Sequence, residues 1–484
     1  MSASDLRPTR MARVAVVAPR EQRRAVLVAI ADAGVMELDA EATDRDRHRP
    51  GRGRAADEQD DAAHGDGDGG ERAASLLRDA PEDVSPQLRP EAADPQQLHD
   101  RGEWEQLAGE VELHRTAATA VEHGPATIVL GWVPEEELAV LRERLEPHGA
   151  SVPQLPTPRW ITPPTRLAGG RLQRSLRPLV HTYAIVPYDD VDPSLFAGIT
   201  YVMMFGMMFG DLGHGLVLAA CGLVLARSEH PRLRPVRRLW HFPVAAGLVA
   251  AVFGLLYGEA FGPTGLVPTL WLAPLEEPVR LLLVAIGVGA ALIAASYAIG
   301  ATNRWREGGF RAALYASSGI AGGVLFLGAA IVAAGITSGI DALTSGGAVV
   351  GALGVVLTFV GFLARSGGGG AGVSQAVIEL FDQLIRIVAN VVSFGRLAAF
   401  GLTHAAIGFA VWEGTQALWG PGLSAAAAVA LFVVGHTLAF ALEVLVIGVQ
   451  ALRLEYYELF SRIFAGGGRL FDPWQIPMAT QERS

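Results

Sequence analysis

The chain has 484 residues, and all 39 of its basic residues are arginine. Without lysine there is no P-loop nucleotide site of the usual kind, which sets a lysine on the phosphates, and no Schiff-base or pyridoxal chemistry. The single cysteine, Cys221, excludes a disulfide framework and any multi-cysteine zinc or iron–sulfur site. Hydrophobic residues make up 50% and charged residues 18% of the chain, the balance of a membrane protein.

The charge is unevenly placed. Residues 1–190 hold 33 acidic and 23 basic groups and therefore the whole net charge of −10, whereas residues 191–484 hold 16 of each. The opening MSASDLRPTRMARVAVV has no cleavable apolar core, so a cytosolic start is expected. Residues 13–17 alternate like a strand, residues 21–34 read as a helix ending at glycine, and a short strand follows near 35–38. Residues 40–112 are rich in Asp, Glu, Arg, Gly and Pro, which predicts an acidic low-complexity linker without structure. A strand at 126–133 and a helix from 135 to 146 complete the region. The predicted parts are therefore 1–39 and 113–190 as two pieces of a reduced cytosolic α/β region, 40–112 as linker, 191–475 as a transmembrane domain, and 476–484 as a tail.

From residue 191 the apolar runs reach the ~20 helical residues that a bilayer crossing needs. Spans are predicted at 241–261, 279–302, 311–336, 347–365, 377–412 and 424–456. The run 192–227 is broken by Gly210-Asp211-Leu212-Gly213-His214-Gly215 and reads as a helical hairpin. Arginines fall in loops 227–240 and 303–311 and in the C-terminal stretch, and are missing from loop 262–278. The positive-inside rule then gives eight spans with both termini cytoplasmic.

Ionisable groups inside a bilayer are costly and mark an ion or substrate path. Span seven carries Glu379, Asp382, Arg386, Arg396 and His404; span eight carries His436, Glu443, Gln450 and Arg453. At ~100° per residue Asp382 and Arg396 share one face, about 40° apart, with His404 about 80° further round. Arg396 is flanked by apolar sequence, and small residues (Ala389, Ser393, Gly395, Ala398, Ala399, Gly401) let another helix come close. Since arginine keeps its proton, its role there would be a fixed positive charge, with Glu379, Asp382 and Glu443 carrying protons. The plainer readings are an ion pair of Arg396 with Asp382 or Glu443, an interhelical hydrogen bond for His404, snorkelling for Arg386 and Arg453, and a structural hairpin turn for Asp211 and His214.

The segments MMFGDLGHG (207–215), YGEAFG (257–262), SFGRLAAFGLTHA (393–405) and ALEVLVIGVQALRLEYYELFSRIFAGGGRLFDPW (441–474) together resemble the membrane stator subunit of V-type and A-type rotary ATPases, the subunit a / subunit I family. The resemblance implies a mainly α, polytopic membrane protein in the cell membrane, eight helices with the last two long and tilted, beside a rotating proteolipid c-ring. It implies further partners: peripheral stalk subunits, the central stalk, catalytic ATPase subunits and membrane lipid, with no nucleic acid and no cofactor. In such proteins an arginine at the position of Arg396 faces the ring carboxylates and separates two half-channels. Glu443 and Arg453, ten residues apart as in the family, match polar residues along that path, as His404 and Asp382 do; Glu379 and Gln450 extend it. Where the family carries two α/β lobes joined by a long coiled coil, residues 40–112 here show no sustained heptads. Two rivals stand: a stand-alone scaffold without transport, and an intramembrane hydrolase using Ser393 with His404 or His436. No Gly-x-Ser-x-Gly elbow supports the second.

Overall fold

The computed structural model describes residues 7–39, 67–81, 83–158, 161–237, 239–464 and 466–479. They form two compact units, one of residues 8–167 with 468–484 and one of residues 1–7 with 168–467.

The first unit is built on a sheet. The alternating run of valines becomes β1 (Met11–Pro19), which pairs antiparallel along its whole length with β4 (Ala126–Pro134). The edges are β2 (Glu37–Leu38) and β3 (Val121–His123) on β4, and β5 (Gln154–Leu155) on β1. The two predicted α/β pieces are thus one sheet. Helix α1 (Arg23–Ala33), stopped by left-handed Gly34, buries Val26, Leu27 and Ile30 against Val14, Val16, Val129 and Val133. The helix Leu138–Leu145 adds Leu138, Leu141 and Leu145 to the same core.

Two expectations fail in this unit. The predicted linker contains α2 (Gly67–Leu76), α3 (Pro95–Asp100) and most of α4 (Trp104–Ala117); its stretch 40–66 and residue 82 lie outside the described residues. Its few apolar residues suffice because they converge: Ala73, Leu98 and Leu107 form a cluster of their own, and Leu88 reaches the sheet core. Arg24 of α1 also pairs with buried Glu110 of α4 at 2.5 Å. The second failure is the tail. Trp474, Ile476 and Met478 pack on the core of this unit, the Trp474 N–H donates to the Met36 carbonyl at 2.9 Å, and Arg469 pairs with Glu37. Apolar side chains at alternate positions 474, 476 and 478 are a strand-like pattern too short to read as an element.

The second unit is helical: α6 (Arg171–His181), α7 (Ser194–Met208), α8 (Leu212–Arg227), α9 (His241–Tyr257), α10 (Pro278–Tyr315), α11 (Ile320–Ser338), α12 (Asp341–Arg365), α13 (Gly369–Ser393), α14 (Gly395–Leu418) and α15 (Leu423–Leu454), taking the helix Leu138–Leu145 as α5. Among the described residues five helical stretches are long and apolar enough to cross a membrane: α10, α11, α12, α13 with α14, and α15 with its extension to Ile463. Helices α7, α8 and α9, of 15, 16 and 17 residues, are shorter. At 1.5 Å per residue they reach ~22–26 Å, below the ~30 Å of a hydrocarbon core. They pack backbone to backbone: a Cβ on Gly215 of α8 would stand 2.5 Å from the Ala251 nitrogen of α9.

The predicted seventh span, 377–412, is two helices. The break falls at Phe394, whose N–H bonds to the Val391 carbonyl instead of continuing the α-ladder. The fully buried Phe394 ring lies on Gly289 of α10, where a Cβ would come within 2.1 Å of it. That contact, invisible to a hydropathy window, holds the break in place.

Burying a carboxylate where Ile476 sits is costly. Ile476→Asp in the full chain is therefore expected to speed limited proteolysis within residues 8–167 severalfold, read by mass spectrometry of the fragments. Unchanged cleavage would mean that the tail is not part of that core.

Candidate functional site

The break at Phe394 puts Arg396 in the first turn of α14 and turns its guanidinium toward the end of α15. There the α-helix widens into a π-helical turn, Glu455–Phe460, a form often found at functional sites. Arg396 Nη2 donates to Glu458 Oε1 at 2.6 Å, and its Nε donates to the Ser393 carbonyl at 2.9 Å. Glu458 is buried, and Arg396 is partly so. Arg396 therefore pairs with neither Asp382 nor Glu443. Asp382 sits one turn from Arg386 and pairs with it on an exposed face, since i,i+4 geometry favours the nearer partner. Glu443 faces His404 instead, Oε2 standing 2.5 Å from Nδ1.

His404 belongs to a buried polar cluster that sequence separation conceals. Asp211, extended at the N-cap of α8, accepts the His214 N–H on Oδ1 at 2.8 Å and the Gly262 N–H on Oδ2 at 2.9 Å. It thus ties the turn between α7 and α8 to the loop after α9. Phe261 in that loop has a left-handed backbone (φ 54°), unusual for a residue with a side chain and a sign of local constraint. Its ring meets His214 edge-on at 5.2 Å. His404 Nε2 lies 4.0 Å from Asp211 Oδ2, and the His214 ring lies 5.5 Å from that of His404 and 5.1 Å from that of His436. Glu259, also buried, joins the same neighbourhood from the loop after α9.

On the other side of Arg396 along the chain, a cleft of about 570 Å³ opens between α13, α10 and the turn after α15. Glu379, Asp382, Arg386, Asn390 and Arg462 line it. Glu379 accepts from Gln375 at 2.9 Å, and Arg462 lies over the Tyr297 ring at 5.1 Å. Between this cleft and the histidine cluster, Phe394, Leu397, Ala398, Ile447 and Ala451 are buried in apolar packing. Gln450 is half-buried with Oε1 unpartnered, and Arg453 is exposed in the last turn of α15.

Sequence reasoning missed the two acids of the π-turn, Glu458 and Glu455. Glu455 is fully buried and receives the Thr200 hydroxyl at 2.7 Å. Their i,i+3 spacing in an apolar run was a readable signal, but the predicted eighth span stopped at 456, which left Glu458 outside the membrane count and Glu455 at its very end. Asp190, ahead of α7, was missed as well. Burial and the neighbouring Glu307 carboxylate push its acid up to about 8.

Comparison with known proteins bears on this arrangement. The V-type ATPase 116kDa subunit family matches residues 118–264. An A-type ATP synthase subunit I of Pyrococcus horikoshii is 24% identical over 371 residues, covering 73% of this chain and 54% of that protein. One from Archaeoglobus fulgidus is 26% identical over 420 residues, covering 76% of this chain and 61% of that protein. A human V-type proton ATPase 116 kDa subunit a 2 is 34% identical over 144 residues, 27% of this chain and 17% of that one. The chain thus spans little more than half the length of the archaeal relatives it matches. Those relatives are subunits of an ATP synthase complex, and the long apolar helices suit a membrane-embedded member. These similarities support the subunit a / subunit I family of V-type and A-type ATPases as the one that the chain resembles.

Proposed function

We propose that this chain is the membrane stator subunit of a V/A-type rotary ATPase, supplying two proton half-channels and, in Arg396, the fixed charge that faces the carboxylates of a proteolipid c-ring. The observation that carries the reading is the position of Arg396. It stands ~12 Å along α14 from His404, with the Glu379–Asp382 cleft on one side, the His404–Glu443 cluster on the other, and buried apolar side chains between. A ring carboxylate that reaches Arg396 competes with Glu458 for the guanidinium and is driven to release its proton, while the apolar packing keeps the two proton routes from joining. Glu379 and Asp382 serve one route; His404, Glu443 and Gln450 serve the other, and Arg453 adds positive charge near the ring-facing surface.

The same reading takes α7 and α8 as a helical hairpin of two short spans and α9 as a third, which gives eight crossings with both termini cytoplasmic in the cell membrane. Short spans are tolerable where protein covers them and the bilayer thins. ATP hydrolysis belongs to partner subunits, in keeping with a chain that has no lysine for a P-loop. Peripheral and central stalk subunits complete the proposed assembly.

In the assembled complex reconstituted in vesicles, Arg396→Ala is expected to abolish ATP-driven acidification, seen with a pH-sensitive dye, while assembly persists. Arg396→Lys is expected to fail as well, because a compact ammonium cannot bond the Ser393 carbonyl and Glu458 in two directions at once. Retained pumping by the alanine variant refutes the reading. Glu458→Gln leaves the arginine without its charged partner; losing one charge-assisted hydrogen bond, ~1.5–3 kcal/mol, is expected to slow pumping about tenfold or more without preventing assembly. Affinity purification of the tagged chain should bring down proteolipid and catalytic subunits, and their absence would favour the stand-alone scaffold.

A further inference from the structure

We propose that Asp211, His214 and His404 form a binding site for a transition-metal dication of the zinc class. A carboxylate oxygen and one nitrogen from each histidine lie within 4.8 Å of one another, and all three residues are buried. Ligands set tetrahedrally at ~2.0–2.1 Å from zinc stand ~3.4 Å apart. The His404 Nε2–Asp211 Oδ2 and His214 Nδ1–Asp211 Oδ1 separations are 4.0 and 3.8 Å, to the two oxygens of one carboxylate, so side-chain rotation closes the set around an ion.

The groups that orient these ligands are already in place. The Glu443 carboxylate 2.5 Å from His404 Nδ1 fixes the proton on that nitrogen, so the neutral ring carries its lone pair on Nε2, the atom that faces Asp211. A carboxylate behind a ligating histidine is the usual support of a zinc site. Asp211 is held by two backbone N–H groups, from His214 and Gly262, and its carboxylate is presented toward both rings. A lone pair and a carboxylate aimed at each other repel unless a proton or a metal cation lies between them.

His214 is the independent sign. Its side chain is only 3% exposed, yet neither ring nitrogen has a hydrogen-bond partner. The nearby ring nitrogens of His436 are equally unpartnered. Buried imidazoles left in this state lose their hydration and gain nothing in return, unless a metal or its bound water takes the lone pairs. Two imidazoles and one carboxylate select zinc or a first-row neighbour over magnesium or calcium, which prefer all-oxygen shells. Three protein ligands leave a fourth position open, and the His436 ring stands 5.1 Å from that of His214.

Metal on His404 Nε2 occupies the lone pair that a mobile proton would use, so occupancy inhibits transport. That consequence rests on the half-channel reading; the binding itself does not. The test uses the full chain in detergent micelles, stripped by a chelator and titrated with Co²⁺ as a spectroscopic stand-in for Zn²⁺. Wild type is expected to take up one Co²⁺ per chain with the visible absorption of a tetrahedral or five-coordinate centre, and Zn²⁺ should bleach it. His214→Gln and His404→Gln should each lose that absorption. Glu443→Gln should keep the absorption and weaken binding by ~10–100-fold. Zn²⁺ should raise the melting temperature of wild type and of neither histidine variant, and the metal-free melting curves show whether each variant folds. Should the histidine variants misfold, Asp211→Asn, which can still accept one of the two backbone hydrogen bonds, is expected to lose the absorption in their place. No Co²⁺ absorption in wild type, or an absorption that survives in every folded ligand variant, overturns the proposal.

Discussion

A guanidinium does not give up its proton in a protein, so a chain that carries Arg396 among Phe394, Leu397 and Ala398 must bring a carboxylate to it. Glu458 is that carboxylate, and its delivery organises much of the helical unit. Helix α15 runs past the arginine and widens into a π-turn that aims Glu458 back at Arg396 Nη2. Helix α13 ends so that the Ser393 carbonyl can take Nε, and α14 begins one residue later. Phe394 seats the break on the bare backbone of Gly289. Leaving either charge alone in such surroundings costs several kcal/mol, which is why the ends of three helices meet at one ion pair.

The same economy explains the second polar cluster. Asp211 spends its two oxygens on backbone N–H groups of different elements and so serves as a structural knot between the α7–α8 turn and the loop after α9. The knot fixes where His214 and His404 stand, and Glu443 fixes how His404 is rotated. Close backbone packing of α8 on α9 through small residues supplies the rigidity that such an arrangement needs.

The helical architecture was legible because hydropathy over twenty residues is a coarse, additive signal that local irregularity does not erase. Arg396, His404 and Glu443 stood out for the same reason: a polar residue in a long apolar run is rare. Their partners were harder to read. Helical-wheel geometry put Asp382 under Arg396, but a straight wheel does not survive the break at Phe394, and Asp382 had Arg386 one turn away. Glu458 lay beyond the end of the counted span, in a turn whose i→i+5 bonding no periodicity announces. Composition misjudged residues 67–112 in the opposite sense. Leu88, Leu98 and Leu107 are too few to promise a core by themselves, yet Leu98 and Leu107 meet in a small cluster and Leu88 completes the core of the sheet.

The packing of Trp474, Ile476 and Met478 into the sheet core has a consequence in time. A chain is made from its first residue to its last, and domains ordinarily close as they emerge. Here β1, α1 and β4 are finished early, but the last side chains of their core arrive only after every long apolar helix has been synthesised. The sheet must wait in an unfinished state while α7 to α15 are made. Its closure then waits for residues 474–478, so a product truncated before them is left with an open apolar core that quality-control proteases are suited to detect.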